Sequence, residues 1–339
     1  MKLLKQLSEA PGVPGREEAI RDIVLAELKG KVDSLSVDAM GNVIAFKKGS
    51  ARNPQRIMFA AHMDEIGFYV SCVDSKGFLR LHCVGSFDTR NLFSRRVIVH
   101  SAKGPLLGVL NATGVPIHLS SAQDRDGYKQ ISSFFVDLGM SAKEVKSKVV
   151  PGDMVTIDAQ CIEYGNYICG KALDNRVQVY VGIRTLQALK NPKNDIFGVF
   201  TVQEEVGMRG AAPATFGVEP DIGIALDVTV ASDIPGIQEE HYVTELGKGV
   251  AIKVLDESAI SDRGLVDWCI ATARKNKIPY QLELLPCRGT DAESIQQSRR
   301  GVKTVTLSVP TRYIHTTVES VHKNDLKSTE ALLKALLSQ

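Results

Sequence analysis

The chain has 339 residues, 44% hydrophobic and 24% charged, with a formal net charge of +2 at neutral pH. This composition excludes wholesale disorder, and the near-neutral balance gives neither nucleic acid nor an acidic membrane an electrostatic hold on the protein. The length is too great for one comfortable core, so two domains are expected.

The N-terminal stretch Met1-Lys-Leu-Leu-Lys-Gln-Leu-Ser-Glu-Ala10 interrupts its apolar residues with charge. It reads as an amphipathic helix and not as a signal peptide, and no apolar run approaches the roughly 20 residues of a membrane span. Helices are expected over 3–9 and 17–29, separated by the turn Pro11-Gly-Val-Pro-Gly15. Strands follow around 43–47 and 57–61.

From about 67 to 159 the pattern changes to short alternating strands (68–73, 78–83, 96–100, 106–111 and 154–158) with glycines between them, which suggests a small all-β barrel or sandwich. Ser141-Ala-Lys-Glu144 is a capping box that starts a short helical turn. From about 160 onward strands and helices alternate, as in an α/β sheet with parallel strands. Helices are expected at 176–189, 264–276, 292–299 and 327–337, and strands at 196–202, 222–226, 250–254, 281–285 and 304–309. Residues 1–66 lack the material for a core of their own and join 160–339. The expected architecture is therefore an α/β domain carrying an inserted small all-β barrel at 67–159. Six cysteines are scattered without a Cys-x-x-Cys pair, several inside apolar runs, as expected of free thiols in a reduced, cytoplasmic protein.

A local grammar recurs along the α/β part: an apolar run ends and His, Asp or Glu follows. It occurs at Ile57-Met-Phe-Ala-Ala-His62-Met-Asp64, at Phe197-Gly-Val-Phe-Thr-Val-Gln-Glu204-Glu205, at Ile222-Gly-Ile-Ala-Leu-Asp227, and more loosely before His315. Ligands of open α/β sheets bind beyond the carboxyl ends of the strands, so several strand ends would bring these residues together. Asp174 differs, because it directly precedes a helical stretch as an N-cap would. Each residue has a plainer reading: Asp174 as a helix cap, Glu204-Glu205 as a solvated acidic pair, Asp227 as a turn residue, and His62 and His315 as loop hydrogen-bonders. The convergence of five favours a metal centre. Carboxylates and imidazoles without thiolates suit zinc, cobalt or manganese, and a carboxylate can bridge two ions to activate a water. Such chemistry needs an unligated carboxylate to move the proton. Asp64 is placed to orient the His62 imidazole.

Five ordered stretches resemble the tetrahedral aminopeptidases: His62-Met-Asp-Glu-Ile-Gly-Phe68, Ala172-Leu-Asp-Asn-Arg176, Val202-Gln-Glu-Glu-Val-Gly-Met-Arg-Gly210, Gly289-Thr-Asp-Ala292 and Arg312-Tyr-Ile-His315. That family contains metal-dependent glutamyl, leucyl and deblocking aminopeptidases, some of them named endoglucanases. The resemblance implies a mixed-sheet catalytic domain of the di-zinc exopeptidase type and two divalent ions per subunit, zinc or cobalt, with manganese also compatible. It assigns His62 and Asp227 to one ion, Glu205 and His315 to the other, and Asp174 to both. It makes Glu204 the general base, with Asp64 supporting His62. It also implies short peptide substrates and a homododecameric shell, with no nucleic-acid or membrane partner.

Two departures bear on substrate preference or assembly: Arg288-Gly289 where the family often has two glycines, and Val115-Pro-Ile-His118 where it has Pro-Pro-His. Arg288, Thr290 and Asp291 are the expected substrate-pocket residues, with Arg288 favouring an acidic N-terminal residue. Competing readings are an N-acyl-peptide deacylase or other di-metal amidase on the same ligands, a glycosidase with two facing carboxyls, and an inactive shell protein.

Overall fold

The strand Arg56–His62, sequence RIMFAAH, shows how the larger unit is layered. Ile57, Phe59 and Ala61 enter one hydrophobic cluster, whereas Met58 and Ala60 enter another. Alternate side chains point to opposite faces, so a strand apolar at every position is buried on both sides. Helices Lys2–Glu9, Glu18–Leu28, Leu173–Ala188, Arg263–Lys275 and Lys323–Leu337 contribute to the first cluster. Helices Ala211–Val218 and Ala292–Gln296 contribute to the second.

The computed structural model describes residues 1–114, 118 and 129–339. Residues 115–117 of the Val-Pro-Ile-His motif therefore lie outside the described residues. Two compact units are present, Met1–Asp64 with Gln160–Gln339, and Glu65–Ala159.

The larger unit holds an eleven-stranded mixed sheet among the described residues. Its centre is four parallel strands in the order Asp195–Thr201, Arg56–His62, Ile222–Val230 and Lys303–Arg312. Register pairs His62 with Thr201 and Asp227 with Ser308, so the carboxyl ends of these strands share one edge. Gly198 is required where the layers meet, because a Cβ there would come within 2.6 Å of Phe59 and 2.7 Å of Leu186. Antiparallel strands flank this centre, including Val43–Lys47 on one side and Val250–Leu255 and Glu319–His322 on the other.

The smaller unit is a closed barrel of six antiparallel strands, filled by Phe68, Val70, Leu79, Val97, Val99, Leu110, Phe134 and Val155. Its strand Phe134–Asp137 was not expected from the sequence, being four residues long. Ser141 and Glu144 form the expected capping box at the start of helix Ala142–Lys148.

Several element bounds differ from the sequence-based expectation. Helix Ala211–Val218 was missed because Pro213 and Gly217 fall in eight residues. Pro213 is tolerated there because first-turn amides have no helical partner to lose. The last helix starts at Lys323, four residues earlier than expected, where the His322 imidazole accepts the Asn324 N–H. Helix Ala292–Gln296 is shorter than expected. No helix among the described residues is long and apolar enough to cross a membrane.

Candidate metal centre

Four of the five sequence-selected ligands arrive from the carboxyl edge of the parallel strands. His62 is the last residue of its strand, and Asp227 lies in Ile222–Val230. Glu204 and Glu205 follow Thr201, and His315 follows Arg312. The adjacent pair Glu204-Glu205 would point apart in extended chain. Instead Gln203 adopts a left-handed φ of 56°, the chain turns, and both carboxylates reach the same site.

Asp174 is not the helix cap that its position suggested. The cap residue is Ala172, without a side-chain cap bond, and Asp174 itself has φ −74° and ψ 103°. Its carboxylate faces two imidazoles. Oδ1 lies 3.2 Å from His62 Nε2, and Oδ2 lies 3.4 Å from His315 Nε2. Asp227 Oδ1 is 3.9 Å from the same His62 nitrogen, and Glu205 Oε1 is 3.3 Å from the same His315 nitrogen. Two ligand clusters result, His62/Asp174/Asp227 and Asp174/Glu205/His315, and Asp174 belongs to both. Glu204 stands beside them, with Oε2 3.8 Å from His62 Nε2.

The donor set fits divalent cations. Ligand atoms about 2.1 Å from a tetrahedral ion sit about 3.4 Å from each other. The His62–Asp174, His315–Asp174 and His315–Glu205 pairs lie at 3.2, 3.4 and 3.3 Å, and His62–Asp227 is wider at 3.9 Å. Asp174 Oδ1 is buried and makes no hydrogen bond, although His62 Nε2 is near. The electrostatics point the same way. Burial pushes Glu204 and Asp227 well above the carboxylate range and Glu205 upward, against the pull of the imidazoles. Burial also works against the Asp174 carboxylate, but His315 and His62 hold its pKa well below the usual range. Burial opposes the charged imidazoles too, yet the acidic neighbours raise His62 well above 6.5 and push His315 up to about 12. Acidic groups this crowded and this dry are stabilised by cations.

The surrounding residues fix the loops. His62 Nδ1 faces the main-chain carbonyl of Asp64 at 3.2 Å, closer than the Asp64 carboxylate at 3.6 Å. That carboxylate instead accepts the backbone N–H groups of Glu204 and Glu205 at 3.0 and 3.1 Å. Glu17 accepts the Gln203 N–H at 3.1 Å. Asn42 closes the neck of the same loop, accepting from Val202 N–H and donating to Gly210 O, both at 3.0 Å. Glu319 accepts the N–H groups of Asp174 and His315. Glu17, Asn42 and Glu319 were not singled out in the sequence. Only Glu319 carried a local signal, as an acid four residues beyond His315.

Of the three expected pocket residues, Thr290 and Asp291 are buried and Arg288 is exposed. Asp291 Oδ2 accepts the Thr201 hydroxyl at 2.6 Å, and its Oδ1 has no hydrogen-bond partner. Burial raises Asp291 to about 6, and its charge acts on Glu204. Arg288 is tied through its backbone to Glu257, donating its N–H to Oε2 at 2.7 Å and accepting the Glu257 N–H at 3.1 Å.

A family model described as M42 glutamyl aminopeptidase matches residues 41–332. The lysyl aminopeptidase of Pyrococcus furiosus is 36% identical over 346 residues, covering 100% of this chain and 96% of that protein. The solved aminopeptidase APDkam598 from the archaeon Desulfurococcus kamchatkensis superposes with a TM-score of 0.95 at 37% identity, covering 100% and 94% of the two chains. The TET1 peptidase of Pyrococcus horikoshii, described as assembling into a tetrahedron or a large octahedral shell, gives a TM-score of 0.89 at 34% identity, covering 100% and 99%.

Proposed function

This chain belongs to the M42 glutamyl aminopeptidase family and is an aminopeptidase, and from that premise we propose that it removes N-terminal residues from short peptides using two divalent cations. His62 and Asp227 would hold one cation, Glu205 and His315 the other, and Asp174 would be shared. The observation that carries this reading is Asp174, whose two oxygens face separate imidazole–carboxylate pairs. Zinc and cobalt suit the donor set, and manganese is also compatible. Bound there, the cations would lower the pKa of a water and polarise the scissile carbonyl.

The chain's own residues handle the proton. Glu204 belongs to neither ligand cluster, and its burial raises the affinity of its carboxylate for a proton. It would take the proton of the attacking water and return it to the departing amine nitrogen. Thr290 and Asp291 would line the substrate side of the site, and Arg288 would favour an acidic N-terminal side chain. Similarity to TET1, described as assembling into a tetrahedron or a large octahedral shell, supports self-association of this chain, and a homododecamer is the assembly we propose. The six free cysteines support a reducing, cytoplasmic setting.

The test is a panel of aminoacyl chromogenic substrates on metal-stripped protein re-supplied with Co²⁺, Zn²⁺ or Mn²⁺, beside N-acetylated counterparts. The expected result is no activity when stripped, recovery with metal, and hydrolysis only of substrates with a free α-amine. Undiminished activity in the stripped protein would overturn the cation reading. Preference for the acetylated series would make the chain a deacylase instead.

A further inference from the structure

We propose that Glu319 is a positioning residue for cation binding: one buried carboxylate that fixes the shared ligand Asp174 and the terminal ligand His315 through their backbone amides. The inference rests on the two-cation reading above.

Glu319 is 2% exposed and opens the strand Glu319–His322. Its position is set by pairing with Gly170 on the neighbouring strand. Oε2 accepts the Asp174 N–H at 2.9 Å, and Oε1 accepts the His315 N–H at 2.8 Å. The two amides lie in loops that approach the site from different elements, 145 residues and 4 residues away from Glu319 in sequence. Asp174 has a short side chain with two rotatable bonds, so the place of its backbone decides where its oxygens point. His315 needs support of a different kind. It has φ 63°, and Tyr313 has φ 61°, both in the left-handed region that side chains with a Cβ avoid. The Glu319 carboxyl oxygen that accepts the His315 amide holds that conformation.

A carboxylate is the group this arrangement needs. When ionised it is acceptor-only, and it offers two oxygens to two amides, whereas the glutamine amide offers one oxygen and one NH₂ donor. Glu319→Gln would therefore turn a donor toward either Asp174 or His315. A role confined to satisfying buried amides would cost stability equally with and without metal. A positioning role weakens the cations in particular, as loss of groups that orient ligands does.

The experiment titrates metal-stripped full-length wild type and Glu319→Gln with Co²⁺ by calorimetry, counting bound metal by elemental analysis. Wild type should bind two ions. Glu319→Gln should keep the circular dichroism of metal-free wild type, lose roughly 10–100-fold in affinity, and regain turnover at high Co²⁺ with KM unchanged. Affinity within twofold of wild type would overturn the proposal. If Glu319→Gln does not fold, Glu319→Asp decides, because it keeps the charge but withdraws the oxygens by one methylene. The same weakening supports the role, and wild-type affinity ends it. Failure of wild type to bind any cation would instead sink the two-cation reading itself.

Discussion

Oδ1 of Asp64 accepts the backbone N–H of Glu204 at 3.0 Å, so the acid expected to serve His62 also fixes the peptide that carries the proposed general base. Oδ2 does the same for Glu205 at 3.1 Å. The proposed base and a proposed ligand on neighbouring residues are thus set by one carboxylate just past the adjacent parallel strand. The Glu204 side chain is free of that task.

The independence of the Glu204 side chain from the loop's own anchoring makes Glu204→Gln a clean test. The backbone bond to Asp64 survives the substitution, and Glu204 lies outside both ligand clusters. Metal content and thermal stability should match wild type, with KM nearly unchanged. The lost proton transfer should lower kcat by about 10²–10⁴-fold. Elemental analysis beside steady-state kinetics checks this. Full turnover in a metal-loaded variant would remove Glu204 from the mechanism.

The strand ends that carry the proposed ligands were legible because each apolar parallel strand reads as a run that stops at a polar residue, as at Ala61-His62 and Leu226-Asp227. The supporting residues were not legible. Glu17, Asn42 and Glu319 act on backbone amides 186, 160 and 145 residues distant, and no local period records such a pairing. Short flanking strands escaped for a related reason. Ser34–Val37 is largely exposed along its length, so it lacks the alternation that marks a half-buried strand. The barrel was legible from strand spacing, but its strand Phe134–Asp137 was too short to show a pattern.

Asn42 gives a prediction about the loop that carries Glu204 and Glu205. Its amide satisfies Val202 N–H and Gly210 O, both buried contacts at the loop's neck. Gly210 is packed so closely that a Cβ there would lie 2.4 Å from Asn42 Oδ1. Asn42→Ala strands the buried Val202 N–H, at a cost of about 1–3 kcal/mol, whereas Gly210 O still accepts the Ala214 N–H at 3.3 Å. Denaturant unfolding of the metal-free variant should therefore show a loss of about 1–3 kcal/mol. Turnover should fall at temperatures where the variant remains folded. A loss under about 1 kcal/mol would show that water replaces the side chain and that the neck is held by other bonds.

Arg288 separates backbone strain from specificity. Its φ of 71° lies in the left-handed region, which glycine enters without the Cβ clash. Both backbone bonds to Glu257 persist in Arg288→Gly. Relief of strain and the greater freedom of unfolded glycine oppose each other, so stability should change by no more than about 1 kcal/mol. The side chain stands two residues before Thr290-Asp291, and Asp291 carries its charge into the field of Glu204. If the Arg288 guanidinium recognises an acidic N-terminal side chain, its removal should lower glutamyl relative to leucyl hydrolysis about tenfold, the equivalent of about 1.4 kcal/mol. The change should appear in kcat/KM for the glutamyl substrate and shrink at high salt, since a solvent-exposed ion pair is screened. An unchanged ratio in a stable variant would place Arg288 on the surface with no part in substrate choice, and Thr290 and Asp291 would then be the residues to vary.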